Sequence, residues 1–560
     1  MRKFLLFMLF ACPLFAHAQN RDWLWAQTSA GTEAQGATGI ATDRFGNIYM
    51  AGYSGKNYSS DPDNSIAFGS LSIISTDDYY NYLVKYNSSG TPLWLKKIPA
   101  SLGNLYVATD SAGNVFLTGG YSGSFTLGAF TITSYDTAAG NTYLARFDST
   151  GTVLWLVSGA SSGIAGGTPS ALTTDNAGNA VIGGVISDSI SFGPLTLTSH
   201  DLYIVKYDPY GNVKWATPLG GHAQPDTLGS TLFPDFITGM AADHQGNIVL
   251  TGSYTADTFM AGAYQLVNRS AGGNNSFLVK CDTTGNVLWA TTAGGATNQG
   301  YPPSDYAYCI TTDSAGNIYI AGITNSDTLY IGGHSYPNNC SCGEMLFAKY
   351  NATGTFNWFQ PSVFSGGSPF TNGSFGTGLA AFNCSSVYMI GFADDSVSFG
   401  PFTLPEDYYI VQFDTSGTPL SATPGGDPSY FFTRSIAVDT GGSAYAAGIF
   451  YGNCSLSDIE LMPTGSSNSF LAKYGMGAVS SVGQVYARTG WNIYPNPATN
   501  TLSISGKDII TSVVISDISG QTIYTATSTM PEMQIDVSGF PAGVYFVTIN
   551  GLAVKEFIRR

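Results

Sequence analysis

Charge is scarce in this chain. Asp, Glu, Lys and Arg together make up 10% of its 560 residues, and the 37 acidic residues outnumber the 21 basic ones to leave a formal net charge of −16. No cluster of Lys or Arg stands ready to neutralise phosphates, which excludes nucleic acid as a partner. The same shortage excludes an electrostatic hold on anionic lipid. Histidine is nearly absent: beyond His17 there are only His200, His222, His244 and His334, each in a different part of the chain. No GxSxG, HExxH or paired-carboxylate signature accompanies them. After the first twenty residues no apolar run approaches the roughly 20 residues of a membrane-spanning helix. Cysteine is sparse and forms no zinc pattern, since Cys340-Ser341-Cys342 lacks a second CxxC-like pair or an adjacent His. No catalytic, metal-binding or cofactor-binding residue is nominated, and no cofactor is expected.

Glycine and aromatic residues are plentiful. With 68 Gly and 13% aromatics, and with Ser, Thr and Asn supplying much of the polar surface, the composition fits an extracellular all-β chain with many tight turns. Its start reads as an export signal: Arg2 and Lys3 precede the apolar run FLLFMLFACPLF, and Ala16-His17-Ala18 offers small residues for cleavage between Ala18 and Gln19. A lipoprotein signal centred on Cys12 would need a small residue where Phe10 stands. The remaining cysteines, Cys281, Cys309, Cys340, Cys342, Cys384 and Cys454, are read as extracellular disulfides or buried thiols, with pairing left open.

One hairpin is written repeatedly. ATDRFGNIYMAG from Ala41 returns as ATDSAGNVFLTG, TTDNAGNAVIGG, AADHQGNIVLTG, TTDSAGNIYIAG and AVDTGGSAYAAG, with a degraded copy, AAFNCSSVYMIG, from Ala380. Asp at the start of the turn can accept hydrogen bonds from the turn's own backbone, and the following Gly can take positive φ. A second strand pattern follows at a distance (YLVKYNSSG, YLARFDSTG, YIVKYDPYG, FLVKCDTTG, LFAKYNATG, YIVQFDTSG, FLAKY) and leads through Asp/Asn-x-x-Gly into PLWLKK, VLWLVS, VKWATP, VLWATT, FNWFQP or PLSATP. Each repeat therefore runs strand A, tight turn, strand B, long loop, strand C, tight turn, strand D. The period of 57 to 70 residues suits a four-stranded propeller blade. Nothing like strand D follows the seventh strand C, whereas Asp22–Gln27 reads as a strand D without a repeat. The expectation is a seven-bladed β-propeller whose N-terminal strand closes the last blade and hides both sheet edges.

The tight turns would trim one face flat, and the variable B–C and D–A loops would decorate the other, where binding usually resides. A recurring pattern in the B–C loops (AFGSLSI, TLGAFTI, SFGPLTL, MAGAYQL, SFGPFTL) predicts a small extra hairpin raising that rim. Asp61-Pro62-Asp63-Asn64 lacks the Gly and distal Glu of a calcium loop and reads as solvated. The repeated Trp25, Trp94, Trp155, Trp215, Trp289 and Trp358 predict blade-to-blade packing. Charges repeat too: Asp43, Asp110, Asp175, Asp243, Asp313 and Asp439 at the A–B turn, and Lys85, Arg146, Lys206, Lys280, Lys349 and Lys473 in strand C. In the sixth copy both change together, to Asn383 and Gln412. Strands A and C lie about 9–10 Å apart across strand B, so the pattern predicts a half-exposed ion pair within each blade.

From about Gly475 to Thr489 small residues form a linker, after which short alternating strands over WNIYPNPATNTLSISG, SVVISDISGQTIYTA, MQIDVSGFPAGVYFVTING and LAVKEFIRR predict a compact β-sandwich. The divisions expected are a signal peptide at 1–18, the propeller at 19–474, a linker at 475–490 and the small domain at 491–560.

The repeats resemble the bacterial β-propeller repeat family of surface and secreted proteins, through D-x-x-G-N, the following Gly and the (F/Y)-(L/I)-V-K-Y strand. The final module resembles the type A C-terminal sorting domain of the type IX secretion system. Tyr494-Pro495-Asn496-Pro497 matches its opening motif, Asp517 and Gly520 its middle turn, Gly543 and Tyr545 the next strand, and Lys555 the basic last strand. That resemblance implies a secretion translocon as partner, passage through the periplasm and across the outer membrane, and then release or attachment at the cell surface. The reading that follows is a binding or adhesion module for glycans or surface proteins, acting through the variable-loop face. One alternative is a polysaccharide hydrolase or lyase with carboxylates converging at the central channel; another is a structural or motility component of the cell coat.

Overall fold

Asp-x-x-Gly turns join the two innermost strands of six of the seven repeats in the computed structural model. It describes residues 21–56, 64–134, 140–162, 167–186, 188–198, 201–220, 235–270, 273–296, 303–338, 343–361, 363–364, 374–426, 431–476, 492–506, 509–517, 522–550 and 553–560. The cleavage site at Ala18 and Gln19, most of the Asp61–Asn64 stretch, His200, His222, Cys340, Cys342, the linker beyond Met476 and Gly520 lie outside them. In the first turn Asp43 Oδ1 accepts from the Phe45 and Asn47 amides at 2.9 and 3.0 Å, while Gly46 takes φ +79°. The same carboxylate cap recurs at Asp110, Asp175, Asp243, Asp313 and Asp439.

The chain is all-β and forms a β-propeller. Among the described residues, seven antiparallel sheets carry strands in the order A-B-C-D. The first is built from Ala34–Thr42, Ile48–Gly55, Tyr79–Tyr86 and Pro92–Ile98. The A strands of the next six are Leu102–Thr109, Gly167–Thr174, Phe236–Ala242, Asp305–Thr312, Ser374–Phe382 and Phe431–Val438. Each A strand packs against the next, and the last against the first. The seventh sheet takes its outer strand from the other end of the sequence: Arg21–Thr28 pairs antiparallel with Asn468–Met476. Strand C of that sheet thus runs two residues past Tyr474, where the sequence pattern ended it.

The strand-C cation and the strand-D Trp are cross-strand neighbours in six sheets: Lys85 with Trp94, Arg146 with Trp155, Lys206 with Trp215, Lys280 with Trp289, Lys349 with Trp358 and Lys473 with Trp25. Both reach the C–D turn of the following sheet. Lys85 Nζ and Trp94 Nε1 donate to the same oxygen, Ser149 O, at 2.9 and 3.1 Å. Arg146 and Trp155 share Pro209 O, and Lys206 and Trp215 share Thr283 O. Lys280, Lys349 and Lys473 reach Ala352 O, Thr415 O and Ser88 O. Each indole lies on the turn glycine of the next sheet: a Cβ on Gly151 would stand 3.1 Å from Trp94, and one on Gly90 would stand 3.0 Å from Trp25. The expected blade-to-blade role of the Trp residues is therefore met by a half-buried indole stacked on backbone.

This arrangement accounts for the sixth copy, where Gln412 faces Ser421. The following sheet is the seventh, whose strands C and D are not joined by a turn because D comes from the N-terminus. A cation and an indole would find no turn carbonyl there. Instead Ser421 and Thr423 meet the Tyr474 hydroxyl, each at 3.1 Å, and Trp23 Nε1 donates to Pro424 O at 3.1 Å. Arg21 supplies the missing charge from the terminal strand, its guanidinium 5.6 Å from the Tyr388 ring centre and bonded to the Tyr388 hydroxyl.

The B–C loops do form extra hairpins, such as Asn64–Phe68 with Leu71–Ser75 and Thr258–Ala261 with Tyr264–Val267. They do not raise the rim. The hairpin turns lie beside the start of their own strand D, with Gly69 against Pro92 and Gly262 against Val287. Two hairpins, Ser189–Phe192 and Thr328–Ile331, add to strand D of the preceding sheet. The cause is apolar: Ile66 and Phe68, or Phe259 and Ala261, are buried, and a projecting hairpin would leave them in water. Phe68 packs 5.0 Å from Tyr82, and Phe259 stacks 4.5 Å from Phe277.

The chain divides between Met476 and Gly477. The C-terminal unit has a three-stranded sheet (Asn492–Tyr494, Thr501–Ser505, Glu532–Asp536) and a four-stranded one (Thr522–Ala526, Val513–Asp517, Gly543–Ile549, Ala553–Arg559). Leu502, Ile504 and Ile535 from the first share a core with Ile515, Val547 and Phe557 from the second.

Candidate functional site

Strand A carries the same irregularity in six of the seven sheets, an extra residue that has no partner in strand B. These residues are Thr38, Ser170, Thr238, Tyr308, Thr377 and Arg434. A bulge re-aims its side chain, and such features concentrate beside functional sites. All six line a central channel with a cavity volume of about 290 Å³, joined in the second sheet by Tyr106 and Val107. Thr38 donates to Leu105 O at 3.1 Å and Thr238 to Ala307 O, so these small hydroxyls tie one sheet to the next. Tyr308 and Arg434 break the pattern with long side chains. Burial pushes the Tyr308 hydroxyl up to about 12, with Tyr306 adding to the rise.

Arg434 is exposed and is the fourth of eight residues in a strand A that begins on the loop face, where the D–A connection enters. Aromatic rings surround that end of the channel. Phe432 meets Tyr451 edge-on at 5.8 Å and Tyr408 at 5.6 Å, and Phe392 adds to Tyr408 at 5.0 Å. From the first sheet, Tyr53 stacks on Tyr79 at 5.8 Å. The Tyr53 ring lies over Gly36 beside Ile449, on the border between the first and seventh sheets. Burial raises the Tyr53 and Tyr408 hydroxyls, and the nearby Arg434 charge opposes the rise in both; Asp394 acts on Tyr408 in the opposite sense. Tyr79 and Tyr451 are exposed. In the fourth and fifth sheets Phe236, Tyr306 and Tyr308 form a second stack, with centroids 6.1 and 5.7 Å apart.

Among the described residues lining the channel there is no Asp, Glu or His, and Arg434 is the single charged side chain. The carboxylates that an enzyme reading would bring together there are elsewhere. Asp235, at the entry to strand A of the fourth sheet, is raised to about 6 by burial, partly offset by the Thr255 amide. Glu344, at the start of a C strand, is raised to about 7 by burial. Asp305 is fully buried and accepts from Thr324 Oγ1 and Ser326 Oγ, both at 2.6 Å, and from the Gly295 amide at 3.0 Å. Its hydrogen bonds brace the loop. His244 sits in an A–B turn and His334 in a B–C hairpin. Among the described residues no group of three or more His, Cys, Asp or Glu is arranged to hold a metal ion. Cys281 and Cys309 are buried free thiols, Cys454 is buried, and Cys384 is exposed and hydrogen-bonded to Ser314 at 2.9 Å.

The predicted same-sheet ion pair forms in three sheets: Arg146–Asp110 at 3.1 Å, Lys206–Asp175 at 2.7 Å and Lys280–Asp243 at 2.8 Å. These pairs are buried, with 2% and 4% side-chain exposure at Lys206 and Asp175, where the sequence reading expected half exposure. In the first, fifth and seventh sheets a tyrosine intervenes. Tyr49, Tyr319 and Tyr445 donate to Asp43, Asp313 and Asp439 at 3.0, 3.0 and 2.8 Å. Lys85, Lys349 and Lys473 then lie 5.2 Å from those rings. Six residues after the Asp, the paired sheets have Phe116, Val181 or Val249 instead, a signal present in the sequence and overlooked. These carboxylates hold turns and sheets together on the flat face, away from the channel mouth.

Residues 36–59 and 289–330 match the Beta-propeller repeat family, and residues 492–558 match the Secretion system C-terminal sorting domain family. The chain thus carries propeller repeats and a secretion sorting domain. That domain implies export, to the cell surface or into the medium. A WD repeat-containing protein, L264 of Acanthamoeba polyphaga mimivirus, is 29% identical over 195 residues, which cover 31% of this chain and 13% of that relative's length. Solved structures resemble the chain at low identity. Polysaccharide lyase Uly1 is 10% identical, with TM-score 0.42 and coverage of 81% of this chain and 100% of that one. The WD40 propeller domain of Doa1 is 8% identical, with TM-score 0.38 and coverage of 82% and 98%. PorZ, a surface component of the type IX secretion system of Porphyromonas gingivalis, is 12% identical, with TM-score 0.25 and coverage of 94% and 81%.

Within the sorting domain, Asn496 Oδ1 accepts from the Ile558 amide at 2.9 Å, and the Ala498 amide donates to Ile558 O at 2.8 Å. The Tyr494-Pro495-Asn496-Pro497 segment is thereby latched to the last strand, with Tyr494 itself exposed. Tyr545 is buried, stacks on Phe557 at 5.5 Å and pairs across the sheet with Asp517. Gly543 opens the strand that contains Tyr545, and Lys555 lies in the final strand opposite Val547. Among the described residues no helix is long and apolar enough to cross a membrane.

Proposed function

We propose that the protein is an exported seven-bladed propeller that binds glycans or surface proteins through the loop face and the channel mouth. In this reading residues 19–474 form the propeller, closed by the N-terminal strand. Residues 491–560 form a β-sandwich that takes the chain through the type IX translocon to the outer surface, after removal of residues 1–18. The observation that carries the binding reading is the channel mouth: exposed and half-buried tyrosines around one exposed guanidinium, on a ring of A strands of which six carry the bulge. Tyrosine offers a flat apolar face and a hydroxyl at low entropic cost, which suits adaptable recognition of polar ligands. Among the described residues lining the channel there is no pair of carboxylates for acid–base chemistry.

A glycan and extracellular-matrix array probed with the mature full chain tests this, run beside a polysaccharide degradation screen. Saturable binding without breakdown products supports the proposal. Release of oligosaccharides would replace it with the enzyme reading, and an empty array would favour a structural part of the cell coat.

A further inference from the structure

Arg434 differs from every other channel residue in a way that its neighbours do not require. At the equivalent bulge, Thr38 and Thr238 use their hydroxyls to hold the next sheet. The guanidinium at 434 makes no hydrogen bond or ion pair among the described residues, and it is exposed. Most other cations of the propeller are engaged: those of strand C hold turn carbonyls, Arg21 holds Tyr388, and Lys56 and Lys97 pair with Asp78 and Asp77. Holding a long flexible cation at the mouth of a channel free of described carboxylates contributes nothing to the ring. In a chain of net charge −16 it creates one local site where an anion is favoured.

Resting on the binding reading above, we propose that the channel mouth recognises an acidic saccharide, with Arg434 as the ligand for a uronate carboxylate. The planar guanidinium presents paired N–H donors that match a carboxylate in a two-bond fork. Tyr451 and Tyr79, 45% and 38% exposed, offer faces for the C–H side of sugar rings on either side of that charge. Thr38, Thr377 and Ser435 line the channel below with hydroxyls suited to sugar oxygens. The charge balance also limits the ligand. One cation in a strongly acidic protein fits widely spaced single charges, and it disfavours a densely sulfated polymer, whose repulsion from the remaining surface a single Arg cannot offset.

Calorimetry on the mature full chain tests this with tetragalacturonate, the neutral maltotetraose and a chondroitin sulfate tetrasaccharide. Tetragalacturonate is expected to bind best, and to weaken at least tenfold in Arg434→Gln. Arg434→Lys, which keeps the charge and loses the fork, should fall between the two. Because residue 434 is exposed, the melting temperature of each variant serves as the folding control. Undiminished binding of tetragalacturonate by Arg434→Gln overturns the assignment, as does its failure to bind the unmodified chain. If maltotetraose or the sulfated probe binds and tetragalacturonate does not, the acidic-saccharide assignment falls while the binding reading of the loop face stands. If no probe binds and the arrays are empty as well, both fall.

Discussion

Asp175 shows how one carboxylate serves two purposes. Burial pushes its pKa up, but hydrogen bonds from Lys206, Asn179 and the turn amides outweigh that, leaving it below the usual carboxylate range. Asp243 is held down in the same way by Lys280 and Asn247. A depressed folded-state pKa stabilises above the unfolded value near 4, and that contribution is lost as pH falls through the folded one. Lys206→Met leaves Asp175 buried without its cation and should cost about 3–5 kcal/mol at pH 7. The loss should shrink as pH falls below about 4, where the carboxyl protonates first in the unfolded chain and only lower in the parent's native state. Lys85→Met, by contrast, removes a cation from the Tyr49 face while Tyr49 keeps Asp43 satisfied, and should cost only about 0.5–2 kcal/mol. Urea denaturation of both variants at pH 7 and pH 3.5 checks the difference; equal losses at pH 7 would mean that the tyrosine does not substitute for the cation. Glu344 has the opposite sign. Its folded pKa is raised to about 7, so stability is greatest below the unfolded value and declines as pH rises toward 7. Glu344→Gln should melt higher than the parent at pH 8 and equally at pH 4. The Asp–cation pairing was legible as a repeated spacing. Its division into two forms lies outside the charge spacing, in the residue six after each Asp: Tyr where a ring intervenes, Phe or Val where the ion pair forms.

The strand pattern was legible because each turn is chemically explicit: Asp or Asn caps, Gly turns, and alternating apolar residues flank both. The extra hairpins were visible too, but not their direction. AFGSLSI shows alternation without showing where its apolar side is buried, and the answer lies in the groove beside strand C of the same repeat. Phe259 fills that groove against Phe277 and Tyr254. Phe259→Ala should cost about 3–5 kcal/mol in denaturant unfolding, whereas a rim hairpin free of the sheets would tolerate it with a loss near zero. The channel mouth left no trace in the repeat pattern. Its residues occupy the bulge position, where Thr, Ser, Tyr and Arg alternate and no two neighbouring sheets need the same side chain.

At the scale of the molecule, the sheet order and the closing strand were legible from a count of D strands, and the sorting domain from its terminal position and motifs. Removing residues 477–560 takes away a unit with its own core. The remaining propeller should keep its melting temperature but accumulate in the periplasm of the native host, as fractionation and immunoblotting will show. Its appearance at the cell surface would refute the sorting role.

The closing strand makes the ring's seam a property of where the chain begins. Ser29 and Ser469, bonded across it, are 440 positions apart, and joining ends that distant costs about 5 kcal/mol of chain entropy. A circular permutant that ties Met476 to Arg21 through an Asp-x-x-Gly turn, and opens at the turn after Tyr207, would move the seam to the third sheet. The sixth sheet would then face a turn carbonyl for the first time. Gln412→Lys with Ser421→Trp should stabilise that permutant and not the natural chain. The reverse result would show that the sixth repeat had drifted for reasons unconnected with its neighbour. On this view its odd residues are the mark left on a cyclic object by a linear gene.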